Sequence, residues 1–219
     1  MLKFYYNPVS ANARRVWMAL LEKHITFEAI AIALNGDQFE HDFTTINPLQ
    51  RVPAIIDDGF RVIESLAILD YLEAKFPTPA LMPTQPEQVA TVRMVEMVAV
   101  NELQPAMVPL TCPLVGLAVN AHKREAAKER VIAIMQFYET LLDEHSYFAG
   151  EEFTLADIVA GSLVPSLPML GLPFDNFPRL DAWAQRLATR DSWQQTTPSQ
   201  ELIAAALPNI KTILERRSS

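Results

Sequence analysis

Three short stretches hold residues whose types and spacing could do chemistry. Ser10 falls between a strand-like run, Leu2 to Tyr6, and an amphipathic run with Val16, Ala19 and Leu20 on one face. A serine there opens a helix, so its hydroxyl and the positive end of the helix dipole can face one pocket. Val52-Pro53 heads the apolar run Ala54-Ile55-Ile56. Proline brings no N–H, so Val52 can offer its own N–H and C=O to an extended peptide lying alongside. Glu64-Ser65 comes straight before the periodic residues Leu66, Ile68, Leu69 and Leu72. Those two residues open another helix, and helix-opening N–H groups suit a carboxylate.

The elements that must position these residues follow from periodicity and turn residues. Leu2 to Tyr6 and Phe27 to Ile32 read as strands, with a helix between them and a turn at Gly36-Asp37. A short helix over Glu40 to Ile46 comes next. Ala54 to Ile56 and Phe60 to Ile63 flank Asp57-Asp58-Gly59, a hairpin signature. The helix opened at Glu64-Ser65 ends at Phe76-Pro77. The order is β-α-β-α-β-β-α, with a parallel first pair and a hairpin. Residues 77–86 hold four prolines and read as a linker. Beyond it strand signals stop. Glu87 to about Gly116 is helix-periodic, but Pro105, Pro109 and Pro113 should kink or break it. Lys123 to His145 predicts a long helix. Thr154-Leu155-Ala156-Asp157 predicts a capping box, with Phe153 and Ile158 placed as a staple. Arg179 to Arg190 and Pro198 to Leu207 predict two more helices, and the last twelve residues a surface-bound tail. The domains expected are 1–76, α/β; 77–86, linker; and 87–219, all-α.

Composition narrows the function classes. With 219 residues, half of them hydrophobic, the chain can bury a sizeable core. A net charge of −8 argues against a nucleic-acid surface and against an anionic-membrane patch. No apolar run approaches a membrane span, and the N-terminus lacks the pattern of a signal peptide. The one cysteine, Cys112, excludes an internal disulfide, and a reducing, cytoplasmic location is expected. His24, His41, His122 and His145 show no metal spacing, and there is no Gly-rich phosphate loop.

The set N-P-x-x-x-V-P (Asn47 to Pro53), D-G turn, E-S helix start and T-L-A-D box resembles the soluble glutathione transferases. The resemblance covers nearly the whole chain. It implies a thioredoxin-like N-terminal domain followed by an all-α C-terminal domain. The stretch Ser10-Ala11-Asn12-Ala13-Arg14 resembles the serine-type theta and phi classes, in which the serine stabilises the thiolate of glutathione. The resemblance therefore implies Ser10 as the catalytic residue, with Tyr6 as its rival and Asn12 as a second donor to sulfur. It implies that Val52, beside a cis Pro53, pairs with the cysteinyl backbone, and that Glu64 and Ser65 hold the γ-glutamyl amine and carboxylate. Arg51 and Gln38 stand near the glycine end, with His41 as an alternative to Gln38. Met107 and Leu110 are implied on the wall for the second substrate, which lies between the domains. Glutathione would be a co-substrate, with no further cofactor and no metal, and the partner a small apolar electrophile. A homodimer is the family's usual state. Cys112 is not at the position of the cysteine-type classes, so thiol-disulfide chemistry is disfavoured. Alternatives are a glutathione-binding homologue without transferase activity, or isomerase, dehalogenase or peroxidase chemistry on the same site.

Overall fold

A computed structural model describes residues 1–33 and 36–218, with side chains described through Glu215. Strands β1 (Leu2–Tyr6), β2 (Phe27–Ala31), β3 (Ala54–Asp57) and β4 (Phe60–Ile63) form one mixed sheet in the order β2-β1-β3-β4. β1 is parallel to β2, with Leu2 opposite Phe27, and antiparallel to β3; β3 and β4 form a hairpin. The hairpin loop is Asp58-Gly59, with φ of 48° and 86°. Positive φ at both positions is what a two-residue turn matching the strand twist needs, hence the Asp-Gly pair.

The pleat sorts the β1 side chains between two layers. Phe4 and Tyr6 point to one face, where Tyr6 meets Trp17 of α1 (Ala11–Glu22). Tyr5 points to the other, against Phe43 of α2 (His41–Ile46). The helix α3 (Ser65–Lys75) packs beside α1 and buries Ile68, Leu69 and Leu72.

The remaining helices are α4 (Pro86–Val98), α5 (Gln104–Thr111), α6 (Ala121–Leu142), α7 (Leu155–Gly161), α8 (Pro178–Ala188), α9 (Asp191–Thr196) and α10 (Gln200–Ser218). In the proline-rich region the regular α-helix is interrupted, as the prolines imply. α4 runs on through a π-helical turn, Ala99–Leu103, into α5, and then into a 3₁₀ turn, Cys112–Val115. Pro105 cannot donate to the carbonyl four residues back, and a wide turn just ahead of it accommodates that loss without ending the helix. Gly116, at φ 76°, ends the run. The expected box is present: the Thr154 side chain meets the backbone of Asp157, and Asp157 the backbone of Thr154. All seven residues of α7 are buried. The helix expected over Pro198 to Leu207 is corrected in its bounds. α10 continues to Ser218, and Leu214 is buried at 6 % exposure. For residues 216–219 the expectation of a surface-bound tail lies outside the described side chains.

The chain divides into two compact units: Met1–Ala80 with Asp191–Ala206, and Leu81–Arg190 with Leu207–Ser219. In the first, α9 docks on α1. Arg14 donates through Nε to the Thr196 hydroxyl (3.3 Å) and through Nη2 to the Thr197 hydroxyl (2.9 Å), and Ser192 donates to Glu22. In the second, Tyr138, Phe148 and Trp183 form an aromatic chain at centroid spacings of 5.0 and 4.9 Å. Among the described residues no helix is long and apolar enough to cross a membrane.

Candidate functional site

Strand direction brings the three chemistry-bearing stretches together. Tyr5 lies opposite Ala54, and Ala54 opposite Ile63, both in antiparallel register. The chain therefore leaves β1, enters β3 and leaves β4 at one end of the sheet. Ser10, Val52-Pro53 and Glu64-Ser65 all follow within a few residues of that end.

Ser10 is the N-cap of α1. Its Oγ accepts the Ala13 N–H at 3.3 Å, and its own N–H donates to the Asn7 carbonyl at 3.1 Å. Asn7 in turn fixes the loop, donating to the Ile32 carbonyl (2.8 Å) and accepting from Val9 N–H (3.1 Å). A hydroxyl has one hydrogen and two lone pairs. The cap uses a lone pair, so the Ser10 hydrogen remains to be given to an anion. Capping and anion binding are compatible here. Asn12 is half-buried on the first turn of the same helix. Tyr6 is engaged differently, with its ring stacked on Phe4 (5.1 Å) and edge-on to Trp17 (4.9 Å).

Val52-Pro53 is a cis peptide, and both residues are buried. Val52 lies outside the ladder, whose first paired residue is Ala54. The loop before it is held by Asn47, 1 % exposed, which donates to the Arg51 carbonyl (2.6 Å) and accepts from Leu49 N–H (3.0 Å). The Arg51 side chain itself is exposed.

Glu64 is the N-cap of α3, exposed and at φ 67°. A positive φ is costly for a residue with a Cβ. Ser65 is the first residue of α3 and is buried. Beneath it lies Arg15 of α1, with Nη1 3.4 Å from Ser65 Oγ.

The other candidates are less concentrated. Gln38 is buried on the turn Asp37–Phe39, its Oε1 accepting from Gly36 N–H at 3.1 Å; His41 is exposed at the start of α2. Met107 and Leu110 lie on α5 in the second unit, Met107 half-buried and Leu110 in the core. Cys112 is buried in the 3₁₀ turn. Among the described residues no cluster of His, Cys, Asp or Glu could hold a metal ion. A cavity of about 420 Å³ opens at the other end of the sheet, lined among others by Lys23, Asp57 and Lys75. Those three are hydrogen-bonded within the unit, Lys23 to Glu73 and Lys75 to Asp57, and nothing there points to a ligand.

Sequence reasoning passed over Arg15. Its side chain is fully buried. The signal was its helical register: Arg15 lies three and four residues before Met18 and Ala19, both buried. Arg14 is largely covered too, and burial lowers its guanidinium to about 10, which leaves it charged at neutral pH.

Residues 4–80 match the family model of the glutathione S-transferase N-terminal domain, and residues 94–191 that of its C-terminal domain. Glutathione S-transferase 3 of Zea mays is 31% identical over 89% of this chain and 92% of its own. The chain belongs to the soluble glutathione S-transferase family. As a glutathione S-transferase it is an enzyme, and its α/β unit with a four-stranded mixed sheet is the thioredoxin-like half of that fold. The maleylacetoacetate isomerase of Rattus norvegicus is 29% identical over 88% of this chain and 90% of its own. A glutathione transferase homologue from Sulfitobacter, solved with bound glutathione, has a TM-score of 0.76 and 25% identity, over 89% of this chain and 96% of that one. Glutathione S-transferases of the serine type are compatible with a serine at the α1 cap.

Proposed function

We propose that this transferase conjugates glutathione to small apolar electrophiles, with Ser10 holding the thiolate. The observation that carries this reading is the Ser10 cap. Its oxygen is already an acceptor for Ala13 N–H, so its hydrogen is available to the sulfur. The N-terminus of α1 adds its dipole. On binding, the thiol gives its proton to solvent, and the serine hydroxyl and the dipole hold the thiolate below its ordinary pKa. The thiolate then attacks the electrophilic carbon; the carbon–sulfur bond forms as the leaving group departs with its electron pair. Val52 pairs with the cysteinyl backbone, Glu64 takes the γ-glutamyl ammonium and Ser65 the carboxylate. Asn12 is a second donor near sulfur, and Arg51 with Gln38 serves the glycine end. For Met107 and Leu110 the role remains contact with the electrophile. Leu110 is core, so Met107 is the one to vary. Glutathione is a co-substrate, with no added cofactor. A homodimer in the cytoplasm completes the reading.

The test is the pKa of bound glutathione, followed by thiolate absorbance in a pH titration. Ser10→Gly keeps most of the cap, since glycine costs an N-cap only a few tenths of a kcal/mol, and removes the hydroxyl. The expected result is a depressed pKa in wild type that rises by about one to two units in Ser10→Gly, the worth of one hydrogen bond to a charged sulfur. Catalytic efficiency should fall by about 10²-fold. A depressed pKa unchanged in Ser10→Gly would transfer the role to Tyr6 or Asn12. Binding with no depression at all would favour a non-catalytic glutathione binder. Isomerisation at the same site is a second reading, favoured by the likeness to maleylacetoacetate isomerase, and turnover of maleylacetoacetate would decide it.

A further inference from the structure

We propose that Arg15 is a positioning residue for the glutathione carboxylate, acting through Ser65; this rests on the glutathione reading above. The Arg15 side chain is fully buried, on the face of α1 that packs beside α3. Its Nη1 lies 3.4 Å from Ser65 Oγ. A guanidinium donates and never accepts. Ser65 must therefore accept from Arg15, and its single hydroxyl hydrogen is turned away from the guanidinium. Ser65 is also the first residue of an eleven-residue helix, so its backbone N–H is one of the donors that the helix leaves unsatisfied. Hydroxyl and amide are then both donors on one residue. That pairing reads a carboxylate and refuses an ammonium. Without Arg15 the hydroxyl can rotate and offer a lone pair instead, and the discrimination is lost. Arg15 touches no substrate in this scheme.

The experiment is calorimetric titration of the full-length protein with two probes. One is glutathione; the other is its analogue lacking the γ-glutamyl α-carboxylate, 4-aminobutanoyl-cysteinyl-glycine. In Arg15→Met the Kd for glutathione should rise about tenfold while that for the analogue changes less than about twofold. KM for glutathione should rise with kcat unchanged at saturation, and the bound-thiol pKa should stay at the wild-type value. Should Arg15→Met fail to fold, Arg15→Lys serves, since a lysine supplies donors with a different reach. Its loss of glutathione affinity should be smaller, and should vanish in a Ser65→Ala background, because the path runs through the serine. Equal weakening of both probes, or an Arg15→Lys effect that survives Ser65→Ala, overturns the proposal. Wild-type protein that binds neither probe would instead overturn the glutathione reading itself.

Discussion

At the scale of single residues, Glu64 is where the candidate site would cost the fold most. Its φ of 67° and ψ of 121° hold a side chain with a Cβ at a positive φ, where a residue without one meets less steric cost. Such a residue costs on the order of 1–3 kcal/mol. Glu64→Gly should therefore raise stability by about 1 kcal/mol, seen as a higher urea midpoint, while weakening glutathione binding. A variant that loses both stability and binding would show that the backbone there is not strained. Asp57, at the far end of β3, works the other way. Burial alone would raise its carboxyl, but the Lys75 ammonium (2.5 Å) and the Tyr71 hydroxyl (2.9 Å) outweigh that and hold it below the usual carboxylate range. A depressed folded pKa means stability that is complete above the unfolded pKa, about 3.9, and lost as pH falls through the lower folded value. Asp57→Asn should thus be less stable than wild type by about 1 kcal/mol at pH 7, and the gap should close towards pH 3. A gap independent of pH would mean that the pair contributes through packing alone. Ser10, Val52 and Glu64-Ser65 were legible as candidates because each sits at a boundary that turn and cap chemistry marks. Arg15 was not, because the fate of a charge inside an apolar helical stripe depends on the partner across from it, and Ser65 is 50 residues away in sequence.

At the scale of elements, the capping box at Thr154-Asp157 was readable because both its residues are local. What it joins was not readable, because the other partners come from distant sequence. The fully buried Asp157 carboxylate accepts from the Thr154 N–H (2.9 Å) and hydroxyl (3.0 Å), the Phe148 N–H (3.2 Å) and Trp183 Nε1–H (2.9 Å). Burial pushes this carboxyl up, and the four donors pull against that shift. It fastens α7 to α8 and to the turn before it. Asp157→Ala would leave Trp183 Nε1–H and two backbone N–H groups buried without their acceptor, a loss of about 3 kcal/mol or more. Denaturant unfolding measures it, and a loss below about 1 kcal/mol would mean that water fills the gap. The helices that went unread failed for a different reason. Asp191 to Thr196 is DSWQQT, too polar and too short for a periodic signal, and α9 is held by its side-chain bonds to α1. Between Ala99 and Thr111 the prolines signalled interruption, and the form it takes, a π turn just ahead of Pro105, is what the sequence did not specify.

At the scale of the molecule, the chain path ties the two units together in folding. The first unit is discontinuous: Met1–Ala80 is completed by Asp191–Ala206, which arrive after the second unit's main segment. α10 is itself divided, with residues 200–206 in the first unit and the rest in the second. A helix propagates cooperatively along its length, so melting one part of it disfavours the other. α1, which Ser10 caps and which carries Arg15, takes bonds from α9 in the returning segment through Arg14 and Glu22. The chain's three tryptophans allow this to be read directly: Trp17 reports the first unit, Trp183 the second, and Trp193 the returning segment. Single-tryptophan variants, with the other two changed to Phe, should unfold in urea with coincident midpoints and equal slopes, as a two-state transition requires. If Trp17 lost its signal at lower urea than Trp183, with Trp193 following Trp17, the returning segment would stabilise only its own unit. The sheet end that carries the candidate site would then melt on its own. Coincidence of all three would mean that the end of the sheet carrying the candidate site is only as stable as the whole chain, so that Asp157→Ala, far along the sequence from Ser10, should lower the urea midpoint of the Trp17 signal by as much as that of Trp183.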